Sequence, residues 1–238
     1  MGIAALFGCT AGMAGSPFLT DDPDTVDLKH LEFNLTEQHT LSSLGRAGAL
    51  TGEINVGCAA EMQCHIAVPV AFAQTVERGT RTGLGDAEIG LKYRFLHQDG
   101  NGWSAAIYPT VVFPTGSADR GLGNGRSQLL LPVWVQRTSG KWRWETGLAR
   151  TINRAPDARD SWFTGLLAQR SFGDGLSLGV EWFRRTASAV DVPASTGFNI
   201  GAIVSISAHQ NILASAGRGL SQVQLNRASI FVAYQLEL

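Results

Sequence analysis

The chain has 238 residues and a formal net charge of −1, and only 16% of its residues are charged, against about 25% in an ordinary soluble domain. That balance excludes the basic surface a nucleic-acid partner requires. No apolar run reaches the roughly 18 residues of a membrane-crossing helix, and no linker or low-complexity tract divides the chain, so one domain is expected.

Residues 1–15 read as a partial secretory signal. Ile3 to Gly8 is a short apolar run followed by small residues, with cleavage expected near Ala14 or Gly15, although no Lys or Arg precedes it. Leu6 to Cys9 also has the outline of a lipoprotein box that would lipidate Cys9, with Phe7 where a small residue is normal. Residues 16–27 carry Asp21, Asp22 and Asp24 ahead of the first strand and form a candidate plug for the periplasmic mouth.

Twelve strands follow, over 28–41, 48–58, 62–73, 84–97, 102–114, 127–138, 141–152, 161–172, 175–186, 196–207, 210–218 and 227–238. Most run about 10–13 residues, and a tilted membrane strand needs about 9–11. Tight turns are expected at 59–62, 98–102, 138–141, 172–175 and 207–210. Longer loops are expected at 42–47, 74–83, 115–126, 153–160, 187–195 and 219–226. Short and long connections alternate, as in bacterial outer-membrane barrels with short periplasmic turns and longer external loops. An even strand number puts both termini on the short-turn side.

The fourth strand shows the pattern best. In "GLGDAEIGLKYRF" (83–95), Asp86, Glu88, Lys92 and Arg94 alternate with Ala87, Ile89, Leu91, Tyr93 and Phe95. Period-two alternation means a strand with two unlike faces. A soluble sheet would bury the apolar face; a membrane barrel turns it to lipid and lines its interior with the polar one. The connection parity and the recurrence of the stripe favour the barrel. The fold expected is therefore all-β: a closed antiparallel transmembrane barrel of about twelve strands, occupying residues 28–238.

On that reading Glu32, Glu53, Asp86, Glu88, Lys92, Arg94, Arg143, Glu145 and Glu181 line the lumen, where opposite charges neutralise one another across strands. Ile89, Leu91, Val180, Ile200 and Val204 face lipid. Aromatics gather at strand ends as interfacial girdles: Tyr93, Phe95, Trp103, Trp142, Trp144 and Tyr234 at the turn side, and Phe113, Trp162, Phe163 and Phe198 at the loop side. Pro69, Pro109 and Pro132 fall inside strands, where each deletes a ladder donor, so local distortion is expected there. The external loop 115–126 is expected over or beside the mouth, with Asp119, Arg120 and Arg126 offering polar contacts. Cys58 and Cys64 flank a turn, share the lipid-side parity and are expected to pair in the oxidising periplasm.

Catalytic motifs are missing. "GLGNG" (121–125) joins two strands rather than a strand and a helix, and HExxH, CxxC and GxSxG do not occur. No catalytic residue, metal ligand set or cofactor is expected, and the chain reads as a non-enzyme.

Several ordered segments carry a family resemblance: "SPFLTDDPDTVDLKHLEFNL" (16–35), "GLGDAEIGLKYRF" (83–95), "VVFPTGSADRGLGNGRSQLLLPVWVQ" (111–136), "TGFNIGAIVSIS" (196–207) and "SAGRGL" (215–220). Over Ser16 to Leu238 the chain resembles the outer-membrane transporter family named for the meta-pathway of phenol degradation. The resemblance implies a bacterial outer-membrane channel passing small, often aromatic, molecules. "FVAYQLEL" resembles the C-terminal signature by which the barrel assembly machinery recognises its clients, departing from it at Leu238. The partners expected are membrane lipid, that machinery and a small-molecule permeant. The alternatives are a structural barrel without transport, or an outer-membrane lipid-modifying enzyme.

Overall fold

The computed structural model describes residues 17–75, 77 and 79–238; the expected signal region, Cys9 and Ser16 lie outside them. The strands are β1 (Leu31–Leu41), β2 (Gly45–Ala59), β3 (Met62–Thr75), β4 in two pieces (Gly79–Leu84 and Ala87–His97), β5 in two pieces (Trp103–Ile107 and Thr110–Phe113), β6 (Gln128–Ser139), β7 (Trp142–Asn153), β8 (Ser161–Ser171), β9 (Leu176–Arg185), β10 (Ser195–Ser207), β11 (Gln210–Gly219) and β12 (Ala228–Glu237). Every strand pairs antiparallel with its sequence neighbours. β12 returns to β1 over the register Glu32↔Glu237 to Leu41↔Ala228, which closes the barrel. Leu31 and Leu238 exchange backbone hydrogen bonds of 2.9 and 2.7 Å at the seam. Among the described residues, closure leaves no edge strand, the condition for a sheet in lipid.

The strand limits agree with the period-two stripes, with one correction at the long-loop rim. Loops were expected over 42–47 and 74–83. Instead β2 begins at Gly45, β3 runs to Thr75 and β4 begins at Gly79. The segment "GRAG" and the stretch Gly79–Leu84 alternate too weakly to read as strand, but each has a ladder neighbour to join.

The three strand prolines account for both broken strands. Pro69 lies opposite the gap in β4: Val70 pairs with Leu84 and Ala67 with Glu88. Two residues of β3 therefore face three of β4, which is a bulge. Gly85 donates to the Pro69 carbonyl at 2.9 Å. Pro109 breaks β5, and Pro132 of β6 lies beside it, accepting from the Tyr108 N–H at 3.1 Å. Each proline thus sits where a missing N–H costs no ladder bond.

The outer face is apolar. Ile89, Val180, Ile200 and Val204 are exposed, and Leu91 lies on the same face half-buried between neighbours. Trp103, Trp142 and Trp144 point outward at the short-turn rim, where Arg137 and Arg170 lie over Trp103 and Trp142 at 5.2 and 5.4 Å. Arg150 and Trp162 pair likewise at the long-loop rim, 5.7 Å apart. Phe163 corrects the girdle expectation. It is on the inward face of β8, in ring contact with Trp134 and Phe183.

Candidate functional site

The lumen is the candidate site. The inward positions of β1, β2, β11 and β12 form a polar ladder: Glu32 accepts from Asn34, Asn55 and Gln235 at 2.8, 2.8 and 2.9 Å, and Gln235 accepts from Asn211 at 2.9 Å. Glu53 and Glu88 are buried in the wall, and Glu53 lies 3.3 Å from His65. The expected lumen residues Asp86, Lys92, Arg94, Arg143, Glu145 and Glu181 also point inward.

Segment Pro17–Asp27 runs inside the barrel and gathers most of these charges. Glu181 accepts from the backbone N–H groups of Leu19 (3.1 Å) and Thr20 (2.6 Å), from the Thr20 hydroxyl (2.8 Å) and from Asn199 (2.6 Å). Asp21 is fully buried and sits 3.0 Å from Lys92 Nζ, which also donates to the Asp22 carbonyl at 3.0 Å. Asp24 lies 3.3 Å from Arg94 and 4.0 Å from Arg143, and Arg143 lies 3.7 Å from Glu145. Arg94 also pairs with Glu61 on the β2–β3 turn, and that hydrogen bond holds the Glu61 carboxyl below its ordinary value. The Ser215 hydroxyl donates to the Pro17 carbonyl. A buried charge is tolerable only when paired and hydrogen-bonded, and the segment supplies partners to Glu181, Lys92, Arg94 and Arg143.

Glycines in the wall make room for this filling. A side chain at Gly165 would meet Thr20 Oγ1 at 1.9 Å, and one at Gly179 or Gly201 would meet the Phe18 ring at 2.6 or 2.8 Å. Trp134 lies over Gly147 and Phe183 over Gly197 by the same test, at 1.9 and 2.4 Å. Glycine inside a strand commonly marks such an approach.

The segment divides the free space. A cavity of about 430 Å³ on the short-turn side is lined by Asp22, Asp24, Glu32, Gln63, Lys92 and Arg143, among others. Another of about 600 Å³ on the long-loop side includes Pro17, Phe18, Leu122, Phe163, Phe183 and Arg185 in its lining. Between them Thr20 and Asp21 have no exposed surface.

The connection between β5 and β6 folds inward over the second cavity. Asp86 stands at the break in β4 and accepts from the N–H groups of Gly116 (2.9 Å) and Asn124 (2.6 Å). Leu122 is buried against Ala71 and Ala73 of β3. Arg120 donates to the Thr82 carbonyl at 3.0 Å and its own carbonyl accepts from Arg81 at 2.6 Å. The side chains of Asp119 and Arg126 stay exposed, and Arg126 contributes its carbonyl to Asn124.

Cys58 and Cys64 are joined, with Cα atoms 5.8 Å apart. They are not directly opposed in the ladder. Cys64 faces Val56, and Cys58 occupies a bulge between Gly57 and Ala59.

Sequence reasoning missed Trp134, Phe183 and Arg185, and misplaced Phe163. The signal present was the run of inward glycines, which marks where rings lie.

Twelve antiparallel strands closed on themselves, apolar outside and polar within, define a transmembrane β-barrel of the outer-membrane type. Residues 31–232 match the family described as "Putative MetA-pathway of phenol degradation", and the chain belongs to that family. In fold it is similar to the COG4313 outer membrane channel from Pseudomonas putida F1, at 14% identity and a TM-score of 0.77 over 91% of this chain and 98% of that one. It is similar also to the NanC porin (6% identity, TM-score 0.62, covering 87% and 100%) and to the KdgM porin (8%, 0.60, 86% and 98%). No curated protein matches it in sequence.

Proposed function

We propose that the protein is a channel of the bacterial outer membrane that passes small, apolar or aromatic molecules. The observation that carries this reading is the pair of lumen cavities, about 430 and 600 Å³, with the segment Pro17–Asp27 lying across the lumen and contributing to the lining of both. A wall built for structure alone would fill its interior with its own side chains, as eight-stranded barrels do. Here a separate stretch of chain fills the middle, held by hydrogen bonds and ion pairs rather than by ladder bonds, so it can shift without opening the barrel. The segment acts as a plug, with Asp21, Asp22 and Asp24 as its anchors. The alternating C-terminal residues Tyr234, Leu236 and Leu238 suit delivery by the barrel assembly machinery.

The test is single-channel recording and liposome uptake with the full barrel, beside a variant with the plug fastened to the wall by a Thr20→Cys/Asn199→Cys bond. Small steps in the parent that vanish on oxidation of the variant and return on reduction are expected. A parent that passes neither ions nor benzyl alcohol overturns the reading.

A lipid-modifying enzyme has one observation in its favour. Ser104 Oγ lies 3.1 Å from His97 Nδ1, and His97 Nε2 lies 3.3 Å from Asp99. The arrangement is a poor nucleophile site. Ser104 is buried in the wall and Asp99 stands in solvent, where water screens any imidazolium it would stabilise. A serine-directed fluorophosphonate that labels the parent but not Ser104→Ala would favour the enzyme.

A further inference from the structure

We infer that the long-loop cavity holds a binding site for an aromatic carboxylate, with Arg185 as the anion receptor and Phe163 and Phe183 as the ring platform. The inference rests on the lumen being a solute path and names the class of solute.

The cation comes first. Arg185 ends the inward row Glu181, Phe183, Arg185 of β9 and lines the cavity of about 600 Å³. Its guanidinium carbon lies 5.8 Å from the Phe163 ring centre and 5.9 Å from that of Phe183. Among the described residues no carboxylate comes within 4 Å of it, and no side-chain hydrogen bond engages it. The inward carboxylate on its own strand, Glu181, four residues away, acts on it through space without forming an ion pair. Glu181 is moreover committed to Leu19, Thr20 and Asn199. A guanidinium that faces a cavity with no carboxylate in contact is an incomplete arrangement, because its planar fork is built to pair with a carboxylate.

The apolar half adjoins it. Phe163 stands opposite Arg185 across the β8–β9 pair, and Gly165 opposite Phe183. The two rings lie 6.4 Å apart, 22° from parallel, and Trp134 meets Phe163 edge-on at 6.2 Å. Phe18 of the plug closes the floor of the same cavity. The volume falls in the usual range for small-molecule sites, which combine apolar walls with few convergent polar groups. A ligand with a flat ring and one carboxylate satisfies both halves: the ring meets the phenylalanines and the carboxylate meets Arg185. A neutral aromatic satisfies only the first.

The experiment uses the purified full barrel in detergent and equilibrium dialysis with benzoate and with benzamide, its neutral isostere. Saturable benzoate binding is expected, at least about tenfold tighter than benzamide, the margin of a charge-assisted pair. Arg185→Gln should weaken benzoate about tenfold or more and leave benzamide unchanged. Heat-shifted gel mobility checks that the variant is folded. If that variant fails to fold, Phe183→Leu serves instead and should weaken benzoate several-fold without changing acetate. Equal benzoate binding in parent and variant, no saturable binding in the parent, or benzamide binding as well as benzoate overturns the inference. Liposome flux separates the two readings. Arg185-dependent binding without flux of either solute keeps the site and removes the channel. Flux of both, untouched by Arg185→Gln, does the reverse.

Discussion

Lys92 Nζ stands 3.0 Å from Asp21 Oδ2 inside the barrel, and this contact joins β4 to the segment that fills the lumen. Both side chains are almost wholly buried. Removing one partner strands the other, at a cost of about 3–5 kcal/mol. Lys92→Met is therefore expected to loosen the plug and raise conductance. Lys92→Met with Asp21→Asn should recover part of the closed behaviour, since Asp21 is then no longer a bare charge while Asp22, 3.9 Å from Lys92 Nζ in the parent, has still lost its cation. Single-channel recording on the two singles and the double forms the cycle that checks it; additive effects would mean that the contact does not hold the plug.

Asp86 holds the β5–β6 connection by two backbone N–H groups, those of Gly116 and Asn124. Asp86→Ala should cost about 1–3 kcal/mol at the loop through its unmet donors, and should expose residues 117–124 to protease on intact cells. Gly123→Ala is expected to do the same from the other side, because its Cβ would lie 2.4 Å from Asp86 Oδ1. Deleting 117–124 should raise conductance; unchanged conductance in a well-folded deletion removes any gating role for the loop.

Leu91 sits on the outer face between Ile89 and Tyr93, one residue from Lys92 on the inner face. An arginine on the lipid face at mid-membrane should cost about 2–4 kcal/mol. Urea-dependent refolding into bilayers reads this as a lowered midpoint for Leu91→Arg. A midpoint equal to the parent would place the face wrongly.

The Cys58–Cys64 bond closes a loop only six residues apart, so chain entropy predicts about 2 kcal/mol and no effect on the lumen. Maleimide labelling of denatured, unreduced protein should leave both thiols blocked. The Cys58→Ser/Cys64→Ser variant should still form the barrel, with conductance unchanged.

Period-two alternation is local, so the strand count, the inward and outward faces and the closed barrel were legible residue by residue. A face cannot be moved without shifting register by one and turning every apolar side chain inward. The same logic marked Pro69, Pro109 and Pro132 as sites of distortion, though only the pairing of β3, β4, β5 and β6 decides that two strands break there. What fills the lumen is not local. Thr20 meets Glu181 across 161 residues of chain, and nothing near either residue announces the other. Phe163 could serve a girdle or a lumen equally well by its position at a strand end; the bare inward face of Gly165 and the approach of Phe183 settle it. Arg185 lies beside two aromatic rings because β8 and β9 are paired in one register, and only the closed barrel, with its plug and its inward loop, decides what space stands before it.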